Sequence, residues 1–201
     1  MTGVSRFVSV AAGLAVACTL AACSGTTPGT PEPSASSTAP STDPSVPKIA
    51  SPLPPALIQG DPCAALTSAQ VNGLFSKTPT RSPAAKDTGV AKSCSWGDDS
   101  RGSLVGIQFV YAWKRGLADV YATQGRGFLK VLAPVQGYPV VAYGPSDERS
   151  KGMCSVAVGI ADNAAFEADV QFASAAVGQG DPCDDARKVA DLAVTTLKAG
   201  A

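Results

Sequence analysis

The stretch CSVAVGIADNAAFEADVQFA, residues 154–173, holds two alternating runs around a turn. From Cys154 to Ile160, Cys154, Val156, Val158 and Ile160 alternate with Ser155, Ala157 and Gly159. From Ala168 to Ala173 the period is again two. Successive side chains on a strand point to opposite faces, so this spacing predicts two strands. Asp162-Asn163 and its neighbours supply a turn between them, and an antiparallel pair follows.

Further strands are predicted upstream. Ser93–Trp96 is one, stopped by Gly97-Asp98-Asp99, and Leu104–Tyr111 is the clearest. Leu117–Tyr121 reads as a short helix. Gly137-Tyr138-Pro139 introduces Val140–Tyr143, a strand ended by Gly144-Pro145.

On the C-terminal side stands Gln179-Gly180-Asp181-Pro182-Cys183. Beyond it, Ala186, Val189, Ala190, Ala193, Val194 and Leu197 follow the spacing of one helix face. Asp181 is placed to cap the helix with its carboxylate, and Pro182 takes the first helical position, where its missing N–H costs nothing. Asp184 and Asp185 suit the positive end of the helix dipole and Lys198 the negative end. The same five residues occur at Gln59–Cys63. There Asp61-Pro62-Cys63 opens a turn, and Thr67-Ser68-Ala69-Gln70 matches a capping box before a helix ending near Phe75. The residues after the two cassettes do not align further, so one local device is used twice. The order of elements predicts an α+β fold over residues 59–201. It is a single domain with a mainly antiparallel sheet packed by N-terminal and C-terminal helices.

The N-terminal end carries a different signal. Arg6 precedes a nearly apolar run from Phe7 to Leu20, too short for a permanent membrane span of roughly 20 residues. It suits a secretory signal over residues 1–22. Leu20-Ala21-Ala22-Cys23 resembles a bacterial lipobox, which implies lipidation of Cys23 and an anchor in the membrane. Two or three acyl chains hold a soluble domain stably, at about 0.8 kcal/mol per buried methylene. Residues 23–58 then read as the lipidated cysteine and a Pro/Ser/Thr-rich tether that cannot bury enough surface to order itself. Fully stretched, the tether reaches on the order of 100 Å. Its Ser/Thr-with-Pro composition also fits a glycosylated stalk.

Of six cysteines, Cys18 belongs to the signal and Cys23 to the lipobox. Cys63, Cys94, Cys154 and Cys183 remain, and an even count in an exported chain reads as two disulfides. Four cysteines allow three pairings. Matching each cassette cysteine to its nearest strand-borne partner gives Cys63–Cys94 and Cys154–Cys183 as the expectation. Each loop of about 30 residues then contributes roughly 3 kcal/mol. A cysteine at a helix start also has a reactive reading, because the dipole lowers a thiol pKa.

The motifs together resemble the actinobacterial lipoprotein family known as domain of unknown function 3558. They are the lipobox, the Pro/Ser/Thr linker, Asp61-Pro62-Cys63-Ala64-Ala65-Leu66-Thr67, Cys94-Ser95-Trp96, and Cys183 before the terminal amphipathic helix. Gly137-Tyr138-Pro139-Val140 and Cys154-Ser155-Val156 fit as well. The resemblance implies location and architecture and brings no activity with it.

The chemistry the sequence offers is sparse. Net charge is zero, which gives no electrostatic reason to bind nucleic acid. There is no histidine, which removes the commonest general base and most transition-metal sites. No catalytic set, metal site or cofactor is expected. Gly125-Arg126-Gly127 reads as a loop, Asp98-Asp99 as a polar turn, Asp147–Lys151 as a solvated loop and Trp96 as core. Tyr111, Trp113, Arg115 and Tyr138 are the candidate binding residues, since aromatics and arginine favour interfaces; Tyr143 is a weaker one. The expected function is a non-enzymatic binding or accessory module on the outer face of the cytoplasmic membrane. Its expected partner is an envelope protein or a small lipophilic ligand. The alternative is an envelope thiol–disulfide redox protein using Cys63 or Cys183.

Overall fold

The computed structural model describes residues 45–80 and 83–201. The signal segment, Cys23 and the tether as far as residue 44 lie outside the described residues.

Among the described residues seven strands form one antiparallel sheet: β1 (Lys86–Asp87), β2 (Ala91–Asp98), β3 (Ser103–Val110), β4 (Phe128–Val135), β5 (Tyr138–Gly144), β6 (Met153–Ala161) and β7 (Ala164–Gln171). Their spatial order is β1-β2-β3-β7-β6-β5-β4. Among the described residues three α-helices accompany it: α1 (Ser68–Leu74), α2 (Leu117–Tyr121) and α3 (Pro182–Ala199). The α+β class and the mainly antiparallel sheet agree with the sequence.

The core lies between one sheet face and α3. Val156, Val158 and Ile160 of β6, Phe166 and Ala168 of β7, and Ile107 and Phe109 of β3 are buried there. They meet Ala186, Val189, Ala190, Ala193 and Val194 of α3. Three alanines on that stripe let the helix approach the sheet closely.

Both cassettes start helical turns. The Asp61 carboxylate accepts from the Cys63 N–H at 3.0 Å, and that of Asp181 from the Cys183 N–H at 2.9 Å. The first copy makes only a 3-10 turn over Pro62–Ala65, after which the chain extends and Thr67 starts α1 with a reciprocal capping box. The second copy starts all 18 residues of α3. Both cysteines are bonded to strands: Cys63 to Cys94 of β2, and Cys183 to Cys154 of β6.

Several boundaries differ from the sequence reading. β4 was not anticipated. It is an edge strand whose side chains are largely exposed, and it carries Pro134 where the register with β5 shifts. An edge tolerates proline because its N–H has no ladder partner to lose. β1 is only two residues long and equally exposed. β2 runs on through Gly97, where a Cβ would stand 2.5 Å from the Ser103 carbonyl oxygen. That glycine admits the neighbouring strand instead of ending its own. β7 begins at Ala164, four residues before its clearest alternation.

The segment ahead of Gln59, assigned above to the tether, packs on the fold. Leu53 and Ile58 are buried, and Ile49 and Leu57 lie against the same core. The Leu53 N–H donates to the Ile160 carbonyl at 2.8 Å, and the Tyr138 hydroxyl to the Ser51 carbonyl at 2.9 Å. Ile49 and Leu53 stand on a proline-flanked extended stretch with few donors to satisfy, and Leu57 and Ile58 on the 3-10 turn Pro55–Gln59 that follows it.

Candidate functional site

The sheet face opposite α3 is only partly covered. At one end Leu117, Val120 and Tyr121 of α2 pack on Val141, Ala157 and Ala165. Trp113 joins them, edge-on to Tyr143 at 5.5 Å between ring centroids. Beyond this patch the face turns polar. One cross-strand row runs Ser95, Gly106, Asp169, Ser155, Tyr143, Leu129. The next runs Ser93, Gln108, Glu167, Ala157, Val141, Val131. Glu167 and Asp169, two apart on β7, therefore share this face.

The two carboxyls are held by uncharged groups. The Tyr143 hydroxyl donates to Glu167, as does Ser155. Gln108 donates to Asp169. Glu167 is only 9% exposed, and burial pushes its carboxyl above the usual range against the pull of its two donors. Asp169 is half-buried; burial first, and then the Glu167 charge, push it up to about 7. Burial likewise raises the Tyr143 hydroxyl, so it remains a donor. Among the described residues neither carboxyl takes part in an ion pair.

Asp169 borders a cleft of about 180 Å³. Ser155 and Tyr143 flank it, and Leu104, Phe128 and Met153 give it apolar walls. Gly106 is the reason Asp169 fits: a Cβ there would stand 2.2 Å from an Asp169 carboxylate oxygen. A glycine inside a strand costs stability, and here it accommodates a carboxylate lying across the neighbouring strand. A second groove of about 450 Å³ lies between the end of α1, the ends of β3 and β7, and the start of α3. Its two cations are engaged, Arg101 by Asp98 and Lys188 by Asp185.

The residues singled out from sequence are not assembled into one site. Tyr111 packs half-buried against the main core, and Tyr138 is buried on the α3 side, with its hydroxyl on the Ser51 carbonyl. Trp113 belongs to the smaller cluster on the opposite face. Arg115 is exposed and paired with Asp119 at 2.7 Å. Trp96 is buried in the core, as its neighbouring cysteine suggested. The Asp147–Lys151 run does more than meet solvent: Arg149 bonds Asp147 at 2.6 Å and reaches Asp181, the α3 cap, at 3.5 Å. Asp169, Glu167, Ser155 and Gln108 were not picked out. Their one signal was a pair of acids on alternate positions of an apolar strand, which reads equally well as a solvated face. Among the described residues no group of three or more His, Cys, Asp or Glu side chains is placed to hold a metal ion.

The family described as Protein of unknown function (DUF3558) matches residues 18–196. The chain belongs to this family. The matched span takes in Cys23, both cassettes, the whole sheet and α3 as far as Thr196. No curated protein and no solved structure matches the chain. In this member of the DUF3558 family the open face gathers the polar groups described above.

Proposed function

We propose that this DUF3558 member is a lipoprotein of the cell envelope, anchored through Cys23 on the outer face of the cytoplasmic membrane. Its folded part acts as a non-enzymatic binding module. The observation that carries the binding role is the cleft beside Asp169, where polar groups from β5, β6 and β7 converge within apolar walls. Ligand sites have this composition: mostly apolar, with a few placed polar groups. The Asp169 carboxyl argues for a small polar or amphipathic envelope component over a wholly lipophilic one. The anchor rests on Leu20-Ala21-Ala22-Cys23. A redox role for Cys63 or Cys183 has less support, because Cys183 and Cys94 are each 1% exposed and both are paired. Redox thiols need access to their partners.

The test is a thermal-shift screen of the full chain against envelope fragments, repeated with Ser146→Trp, an exposed rim residue of the cleft. Compounds that stabilise the wild type and lose their effect on the plugged variant support the reading. Stabilisation that survives the plug, or none at all, removes the cleft from the function. For the anchor, labelling with an alkynyl palmitate should mark the wild type and leave Cys23→Ala unmarked.

A further inference from the structure

We propose that the cleft beside Asp169 is a site for a small organic ammonium ion, with the Asp169 carboxylate as its counter-charge. This deepens the binding-module reading and rests on it.

Among the described residues no positive charge answers the two carboxyls. Asp169 and Glu167 are bonded by Gln108, Ser155 and Tyr143, all of them neutral. A carboxylate withdrawn from water is stabilised most by an opposite charge, and these two have none among the described residues. The nearby cations are already committed. Arg149 lies between Asp147 and Asp181, 5.2 Å above the Phe128 ring, and Lys151 is held by Glu148 at 3.0 Å.

The titratable groups facing Asp169 are Glu167 on its own strand, Tyr143 from β5 and Glu148 from the loop before β6. From β3 and β6 come Gln108 and Ser155, which do not titrate. Glu148 is balanced by Lys151 and Tyr143 stays neutral, so the acids left without a counter-charge among the described residues are Glu167 and Asp169, which a proton or an incoming cation balances.

The lining suits an ammonium better than a metal ion. Hard cations take six to eight oxygen ligands. Glu167 already accepts from two donors, and no group of three or more metal-ligating side chains lies among the described residues. The walls, by contrast, are Leu104, Met153 and the rings of Phe128 and Tyr143, which suit an alkyl stem. A space of 180 Å³ equals the liquid volume of about six waters, room for a short alkyl amine.

Ammonium and proton then compete for one carboxylate. With Asp169 near 7, about a tenth of it is ionised at pH 6 and about nine-tenths at pH 8, so affinity should rise about tenfold between them.

The experiment exploits a natural reporter. The chain has two methionines, Met1 and Met153, and Met153 lines the cleft. The full chain carrying 13C-methyl methionine is titrated with n-butylammonium chloride, 1-butanol and sodium butyrate. The Met153 methyl resonance should move with n-butylammonium alone, about tenfold more tightly at pH 8 than at pH 6. Asp169→Asn should abolish the shift while leaving the resonance dispersed as in a folded chain. Unchanged binding in Asp169→Asn overturns the inference. An equal response to 1-butanol or butyrate also overturns it, yet leaves a cleft that binds ligands. Silence with all three probes overturns it as well, and the binding reading then stands on the screen with Ser146→Trp.

Discussion

On the α3 side of β7 stand Ala164, Phe166, Ala168 and Val170; on the other side stand Ala165, Glu167, Asp169 and Gln171. One strand serves two environments, and they are stabilised differently. The covered face gains from apolar area removed from water, a term with no preferred direction. The open face depends on directed bonds, in which each carboxyl must find a donor. A defect on the first should therefore cost in proportion to lost packing. A defect on the second should depend on pH and on a particular neighbour.

The largest expected effect belongs to the covered face. Phe166 is fully buried, and Phe166→Ala should cost about 3–5 kcal/mol in urea unfolding. Gln171→Ala, at the exposed end of the open face, should cost less than about 1 kcal/mol. Similar losses at the two positions would erase the contrast.

Next is the staple that fixes α3 over that face. Replacing Cys154 and Cys183 together by serine opens a loop of 29 residues and should cost about 3–4 kcal/mol, read as a lower denaturant midpoint.

On the open face, Gly106→Ala should cost about 1–3 kcal/mol by driving a Cβ into the Asp169 carboxylate. In an Asp169→Ala background the same change should cost much less. An additive pair of losses would show that the glycine serves something other than Asp169.

The smallest effect is the one that depends on pH. With its pKa raised from 3.8 to about 7, Asp169 keeps a proton when folded that the unfolded chain has released. The stability this contributes is complete below the unfolded value and is lost as pH rises through 7. Asp169→Asn should flatten that loss, matching the wild type near pH 4 and exceeding it by about 1–2 kcal/mol at pH 8, solvent screening of the half-buried carboxyl reducing the full linkage of about 4 kcal/mol. Equal slopes in a pH series of unfolding curves would place the titration elsewhere.

Much of the covered face was legible in the sequence. Alternation in β6, the helical spacing of α3, and the capping residues Asp181 and Thr67 are local signals, and each was met where it was expected. The cysteine pairing was legible because each cassette cysteine had a strand-borne partner about 30 residues away. What escaped was set by non-local neighbours. β4 is apolar on both faces and interrupted by Pro134, so no alternation marked it as a strand, and Leu53 looked like tether until Ile160 supplied its hydrogen-bond acceptor. The open-face site escaped for the same reason. Gly106 and Asp169 are far apart in sequence, and only sheet pairing brings them side by side. The candidates chosen from sequence were aromatic residues near cations, a pattern that packing also produces, as Tyr138 and Trp113 demonstrate.

The packed segment ahead of the first cassette has a mechanical consequence. A pull on the chain upstream of Ser45 would first peel that segment off, breaking the Tyr138–Ser51 and Leu53–Ile160 bonds and drawing Ile58 from the core. Peeling stops at Cys63, where the load passes covalently into β2 through Cys94. The give is thus limited to residues 45–62, roughly 60 Å of extended chain. Beyond that extension the sheet bears the force along a strand, and the molecule behaves as a short spring in series with a rigid body.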